Sequence, residues 1–243
     1  MQDSSREIMK VAICQPHFLG YTGHFAMMDS VDKWVFYDDV QYEHQSWQSR
    51  NRIKLADGRI HWLSVPVEKR FGQKINEVKI SYEPWEKMWG TIEQSYSKTS
   101  FFGQYVDVVR DMIISDWIYL ADKTMYIERM IAELLGIKLP EFLKSSNLHA
   151  KGTKTDRVIN ILKEVGATEY VSGQAAKAYI ERDKFKDIKL TWFDWKHPVY
   201  PQRGAFVGYL SAIDLLFNTG EEAIKYIRGN NVGSGDNPCS EGE

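Results

Sequence analysis

Cysteine is scarce in this sequence, and its placement excludes several classes of protein. The 243 residues contain two cysteines, Cys14 near the N-terminus and Cys239 near the C-terminus. There is no CxxC pair and no cluster of cysteine and histidine at metal-ligand spacing, so the sequence indicates no protein-bound metal site. This usage excludes a disulfide-stabilised secreted protein and predicts the reducing cytoplasm as the compartment.

Long apolar runs and long basic runs are also missing. No apolar run approaches the length that a bilayer crossing needs, and residues 1–10 lack the apolar core of a signal peptide. The formal net charge is −2 and the basic residues are scattered, which argues against a nucleic-acid partner. We therefore expect a soluble cytoplasmic protein, with no membrane span, that binds a small ligand.

Aromatic side chains, by contrast, are abundant. Eight tryptophans and thirteen tyrosines suit the flat faces of sugars and bases, but a hydrophobic core uses them equally. Trp85, Trp89 and Trp117 lie at helical spacing and indicate either core packing or an interface, which leaves a homo-oligomer open.

The predicted elements alternate between strands and helices, which is typical of an α/β fold with a mostly parallel, Rossmann-like sheet. We expect a single domain over 1–228, with a β-hairpin insertion at about 48–82, a helical insertion at about 84–136, and a disordered tail at 229–243. The predicted strands are 11–15, 33–37, 51–55, 59–67, 75–80, 169–171 and 188–194. The predicted helices are 24–32, 84–97, 103–115, 121–135, 154–165, 174–181, 209–217 and 221–228.

The first strand leads into a loop that is typical of a phosphate site. Pro16 ends the strand, and Gly20 and Gly23 permit close approach of the backbone before a helix begins. In an open α/β sheet, ligands bind at such a loop. His24, at the predicted helix start, suits stabilisation of phosphate charge or simple helix capping, and His17 suits catalysis or exposure to solvent.

Seven short motifs, considered together, point to a family. They comprise Gln15-Pro16 with its aromatic loop and the segments 37–42, 47–53, 154–157, 170–173, 197–202 and 210–218. In this order they resemble the WbqC-like family, from about residue 11 to residue 220. The resemblance implies a role in assembling precursors of bacterial surface polysaccharide, such as O-antigen, but it does not supply a reaction. Tyr21-Thr22-Gly23-His24 also resembles the HxGH signature of nucleotidylyltransferases, with Tyr21 in place of the first histidine.

Two acidic residues follow the second predicted strand. Asp38 and Asp39 suit Mg²⁺ bound together with substrate phosphates, or a general base. The alternative is that Asp38 caps a turn and Asp39 is solvated. The sequence does not decide which carboxylate faces the site.

A basic and aromatic segment opens the predicted hairpin. Arg50 and Arg52 lie on one side of a strand and Asn51 on the other, so the two guanidinium groups suit a diphosphate. Trp47 and Tyr42 suit stacking on a base or a sugar. The alternative is an exposed hairpin face with unpaired charges.

Further candidate substrate contacts come from the remaining motifs. Cations at the start of the helix at 154–165 are unfavourable for its dipole unless an anion binds there. A serine and a glycine follow the strand at 169–171, where backbone N–H groups suit a second anion. Two prolines make the loop at 197–202 rigid, which favours substrate contacts. The full set of additional candidates is Gln15, Tyr21, Gln41, Lys154, Arg157, Ser172, Gly173, His197, Tyr200 and Gln202.

Together these features favour an enzyme that acts on a nucleotide-linked amino sugar, by acyl or aminoacyl transfer. The catalytic candidates are His17, His24, Asp38 and Asp39, the partner is a nucleotide sugar or a nucleotide, and Mg²⁺ carried with the nucleotide is the candidate cofactor. A non-catalytic binding or scaffold protein of the same pathway is the alternative. Nucleotidylyl transfer or adenylate formation ranks third, because the HxGH match is broken.

Overall fold

The computed structural model describes residues 7–82 and 84–229, which form a mixed α/β structure. The strands are β1 (Lys10–Cys14), β2 (Lys33–Phe36), β3 (Arg50–Lys54), β4 (Ile60–Ser64), β5 (Glu141–Lys144), β6 (Glu169–Ser172) and β7 (Lys189–Trp192). The helices are α1 (Thr22–Asp29), α2 (Trp85–Tyr96), α3 (Phe102–Ile114), α4 (Leu120–Leu134), α5 (Lys154–Glu164), α6 (Ala212–Thr219) and α7 (Ala223–Ile227).

Five strands form one parallel sheet in the order β5-β2-β1-β6-β7. Along the chain, the sheet first grows from β1 to β2 and β5 on one side, and then crosses back to β6 and β7 on the other. The direction of growth therefore changes between β1 and β6, as in Rossmann-like sheets. The predicted fold class, a largely parallel sheet with a hairpin and helices, is confirmed.

The two faces of the sheet pack against different helices. Ala12 and Trp34 face a large core that also takes apolar side chains from α1, α2, α3, α4, α6 and the hairpin. Val11 and Val35, one position away, face a smaller core with α5. Because successive side chains of a strand point to opposite faces, the short strands are apolar on both sides.

The predicted hairpin forms, but its predicted third strand does not. β3 and β4 pair antiparallel around the Asp57-Gly58 turn, as a separate two-stranded sheet. The segment predicted as a strand at 75–80 contains a short 3-10 helix, Ile75–Glu77. Its backbone N–H groups bond to the carbonyls of Asp38 and Val40, so only Ile80 bridges to the hairpin region. The prediction of a strand there is wrong.

Three other elements differ from expectation. The helix predicted at 174–181 is a 3-10 helix, Gln174–Ala178. The helix predicted at 209–217 begins at Ala212, because the Ser211 hydroxyl caps it. The four-residue strand β5 was not predicted at all; it pairs only with β2, at the edge of the sheet.

None of the described helices combines the length and apolar character that a bilayer crossing requires. The predicted disordered tail, 229–243, lies outside the described residues except for Gly229.

Candidate functional site

The carboxyl ends of the parallel strands carry five of the predicted site residues. Gln15 and His17 follow β1, Asp38 and Asp39 follow β2, and Gly173 follows β6. β1 lies between β2 and β6, at the point where the sheet changes its direction of growth. A crevice outside the strand ends at this point is where α/β sheets bind ligands.

Asp38 and Asp39 both reach the end of the neighbouring strand β5. Asp38 is buried and accepts hydrogen bonds from the hydroxyls of Ser145, at 3.0 Å, and Ser146, at 2.7 Å. Asp39 accepts a hydrogen bond from the Ser145 hydroxyl at 2.5 Å and forms an ion pair with Arg157 on α5. Asp39 keeps more exposed surface than Asp38 does.

The Arg157 guanidinium sets the charge state of Asp39. Burial alone would raise the pKa of Asp39, but hydrogen bonds from Ser145 and Arg157, with the charge of Arg157, hold it below its usual value. Arg157 also lies 5.4 Å from the ring centroid of Tyr37, and its buried Nε atom has no partner among the described residues.

The start of α5 and the end of β6 place three other candidates. Lys154 is exposed, with a positive φ of 49°, at the first position of α5. Ser172 is buried, and its hydroxyl bonds to the Tyr170 hydroxyl at 3.3 Å. Gly173 begins the loop that follows β6. Lys154 is therefore accessible to an anion, whereas Ser172 lies beneath the surface.

The loop after β1 is held from two sides. The Gln15 side chain accepts a hydrogen bond from Gln48 at 2.8 Å. Asn51, buried on the opposite side of β3 from the arginines, donates to the carbonyls of Phe18 and Leu19. The placement of Asn51 makes it a residue that positions the loop.

Four ionisable side chains meet at the foot of this loop. The His24 Nε2 atom lies 2.6 Å from the carboxylate of Glu128, a fully buried residue of α4. The backbone N–H of His17 donates to the other oxygen of that carboxylate. The His17 and His24 rings stack with centroids 4.6 Å apart, and the Cys14 Sγ atom lies 3.9 Å from His24 Nδ1.

Burial governs the charge of this cluster. It lowers the pKa of His17 and of His24, and it raises the pKa of Glu128 and of the Cys14 thiol. Each group is thus biased towards its neutral form. His24 does not lie free at the start of α1, because the helix begins at Thr22 and the His24 ring points into the interior.

An arginine and tryptophan surface covers one face of the hairpin. The Arg50 guanidinium lies 4.2 Å from the ring centroid of Trp62, and the Trp47 and Trp62 rings are 5.5 Å apart. Both rings are about two-fifths exposed, at 42% and 40%. The Arg52 guanidinium lies 5.7 Å from the Trp47 ring centroid and 5.8 Å from the Trp62 ring centroid, and it donates a hydrogen bond to the carbonyl of Tyr209. Within the described residues, neither arginine pairs with a carboxylate.

A cavity of about 330 Å³ opens beside this surface. Arg50, Lys69 and His44 contribute its basic lining, and among residues 7–82 and 84–229 no aspartate or glutamate lines it. Tyr42 and Ser49, whose hydroxyls lie 2.8 Å apart, contribute polar groups. Gln41 is exposed on the adjoining segment. The cavity therefore suits an anionic ligand with hydrogen-bonding groups.

The loop at 197–202 is anchored to α6. The hydroxyl of Tyr200 and the amide of Gln202 both donate to the buried carboxylate of Asp214, at 2.9 and 2.8 Å. The His197 Nε2 atom accepts a hydrogen bond from the Tyr209 backbone, and burial lowers the pKa of His197. Tyr200 and Gln202 thus hold the loop against α6. His197 is linked to the arginine and tryptophan surface through Tyr209, because the Tyr209 N–H donates to His197 and its carbonyl accepts from Arg52.

Sequence reasoning missed several residues of these sites. Glu128 sits in an amphipathic helix, where a carboxylate usually faces solvent, so nothing in the sequence identifies it. Cys14 and His17 stand at a Cys-x-x-His spacing, but a single such pair is not a cluster and does not by itself indicate a site. Trp62 and Lys69 belong to none of the seven motifs. Trp62 meets Arg50 because β4 pairs with β3, and Lys69 lines the same cavity as Arg50.

Comparison with known proteins places the chain in a family. The sequence profile of the WbqC-like protein family matches residues 15–226. An uncharacterized protein of Mycobacterium tuberculosis (strain ATCC 25618 / H37Rv), Rv1507c, is 36% identical over 236 residues, covering 90% of this chain and 97% of that protein. No solved structure matches this chain significantly. The resemblance carried by the seven motifs is confirmed, and the chain belongs to the WbqC-like protein family.

Proposed function

We propose that this protein binds a nucleotide-linked sugar at the hairpin cavity and acts on it as a transferase of surface-glycan precursor assembly. The observation that carries the proposal is the cavity that Arg50 and Lys69 line, with no acidic side chain from the described part of the chain. Two cations at one cavity suit the diphosphate that links a nucleoside to a sugar.

Arg50 connects the cavity to the aromatic surface. Its guanidinium lines the cavity and also stacks on Trp62. In our proposal the phosphates lie in the cavity, and a base or a sugar ring lies against Trp47 and Trp62. Exposed aromatic rings favour both groups, since each has a flat apolar face.

The proposed reaction is transfer of an acyl or aminoacyl group to an amino sugar. The sugar amine attacks the acyl carbon, a bond from the acyl carbon to its leaving group breaks, and the amine proton passes to a base. Among the proposed catalytic side chains, Asp39 and His17 keep exposed surface, whereas Asp38 and His24 are buried and hydrogen-bonded. The family's association with surface polysaccharide, implied by the sequence resemblance, supports the same substrate class.

A non-catalytic binding protein of the same pathway is the second candidate. It is favoured by the engagement of both carboxylates at the end of β2, Asp38 by two serines and Asp39 by Arg157. This candidate predicts the same ligand without turnover.

A thermal-shift panel tests the ligand class. It compares UDP-, dTDP- and GDP-linked amino sugars with ATP and CTP, each with and without Mg²⁺. A ligand present at about a hundred times its Kd adds roughly 2.7 kcal/mol to stability, which is a readily measured shift. We expect stabilisation by a nucleotide sugar. Stabilisation by ATP with Mg²⁺ alone would favour adenylate formation, and no shift with any of them would contradict the proposal.

A further inference from the structure

We infer that Cys14, His17 and His24 form a binding site for a divalent transition-metal ion such as Zn²⁺, with Glu128 as a positioning residue. The inference is independent of the nucleotide-sugar proposal, because it rests on a different group of residues. The metal-ligating atoms of the three side chains all lie within 4.8 Å of one another. A thiolate and two imidazoles are ligands that zinc prefers over the harder cations Mg²⁺ and Ca²⁺.

The distances suit one shared ion. Zinc holds sulfur at about 2.3 Å and nitrogen at about 2.0–2.1 Å, so the two atoms lie about 3.6 Å apart in a tetrahedral site. The Cys14 Sγ atom lies 3.9 Å from His24 Nδ1, which is close to this spacing. The His17 ring stacks beside the His24 ring, and one of its ring nitrogens lies within 4.8 Å of the other two ligand atoms.

Glu128 prepares His24 for this role. Its carboxylate lies 2.6 Å from His24 Nε2, and the other ring nitrogen, Nδ1, lies on the side of Cys14. A carboxylate that holds the far nitrogen of a ligating histidine is a recurrent feature of zinc sites. The same carboxylate accepts the backbone N–H of His17, so it fixes two of the three ligands.

Charge and surroundings also favour a cation. No lysine or arginine in the described part of the chain pairs with Glu128, which is fully buried. A divalent ion beside one thiolate and one carboxylate makes the group electrically neutral, so the bound site leaves no uncompensated charge in the interior. Trp34 and Phe25 pack edge-on against the His24 ring and provide an apolar shell.

Three protein ligands leave one tetrahedral position for water or substrate, which is typical of catalytic rather than structural zinc sites. Cys14 and His17 are only partly buried, at the carboxyl end of the central strand β1. The two ligands that keep exposed surface therefore lie at the edge of the sheet that also carries Asp39. The inference assigns His17 and His24 to the metal.

Metal analysis and cobalt substitution of the full-length protein test the site. We expect one equivalent of tightly bound zinc after exhaustive dialysis. With Co²⁺ we expect a thiolate-to-cobalt charge-transfer band that Cys239→Ser retains and Cys14→Ser abolishes. Cys239 lies outside the described residues and is the other cysteine of the chain. We expect Glu128→Gln to weaken zinc binding by about 10- to 100-fold, and His149→Asn, at an exposed histidine, to leave it unchanged.

If Cys14→Ser fails to fold, the Cys239→Ser variant still tests whether Cys14 binds the metal. The Cys239→Ser protein then carries Cys14 as its one cysteine, so a charge-transfer band in that variant assigns the thiolate. Less than a tenth of an equivalent of metal after dialysis against zinc, or a cobalt spectrum without a thiolate band in the wild-type protein, would overturn the inference.

Discussion

Asp39 and Arg157 form the ion pair that joins the end of β2 to α5. The two side chains are mostly buried, at 13% and 18% exposure, and Asp39 also accepts the Ser145 hydroxyl. Removing one member of such a pair leaves the other charge without its partner in a poorly solvated place. The ion pair thus fixes the end of β2 against α5.

We expect Asp39→Asn to lower the free energy of unfolding by about 1–3 kcal/mol at neutral pH, because it removes hydrogen bonds to a charged group. The folded-state pKa of Asp39 lies below its ordinary value of 3.8. Its contribution is therefore present above pH 3.8 and is lost as the pH falls through the lower folded-state value. Urea unfolding of both proteins as a function of pH measures this.

The matched control is Asp57→Asn in the hairpin turn. Asp57 pairs with Arg59, but both side chains are more than half exposed, so Asp57→Asn should change the stability much less than Asp39→Asn does. A difference between wild type and Asp39→Asn that stays constant from neutral pH to well below pH 3.8 would show that Asp39 is not held ionised by Arg157.

At the scale of elements, helix α1 is fitted closely to its neighbours. A Cβ atom added to Gly23 would lie 2.5 Å from the Tyr21 ring and 2.8 Å from the Trp195 ring. Trp195 cannot withdraw easily, because its indole N–H donates to the carbonyl of Ile227 at 3.0 Å. The glycine is needed for close packing of α1 beneath the loop that follows β7.

We therefore expect Gly23→Ala to lower the free energy of unfolding by about 1–3 kcal/mol, as overpacking does. Gly90→Ala, at an open position inside α2, should instead stabilise the protein by about 0.5–1 kcal/mol, since alanine is the better helix former. Chemical denaturation of the two variants checks both. Equal effects of the same sign at the two positions would refute the packing argument.

The elements differ in how far the sequence determines them. α2, α3 and α4 carry clear apolar periodicity, and β3 and β4 flank an Asp-Gly turn, so all five were predicted within a few residues. The conformations of the segment at 75–80 and of the edge strand β5 were not predicted correctly. Hydrogen bonds to distant parts of the chain determine them. Short apolar stretches of this kind have no local signal that separates strand from 3-10 turn.

At the scale of the whole molecule, the topology brings together side chains that lie far apart in the sequence. Asp38 and Asp39, and the arginines at positions 50 and 52, were identifiable because each group is contiguous in the chain. Glu128 meets His24 across 104 positions, and Trp62 meets Arg50 through the pairing of β3 with β4. Such partners become visible only once strand order and register are known.

The central claim is that a nucleotide sugar binds between Arg50 and Lys69. Titration calorimetry with the nucleotide sugar that gives the largest thermal shift tests it most directly, on the wild type, Arg50→Gln and Arg59→Gln. Arg59 lies on the same hairpin, but its side chain is 78% exposed and it does not line the cavity.

We expect Arg50→Gln to raise the Kd by about tenfold or more, since a hydrogen bond between charged groups is worth about 1.5–3 kcal/mol, and Arg59→Gln to leave it unchanged. Equal affinity in all three proteins would place the ligand elsewhere and contradict the claim.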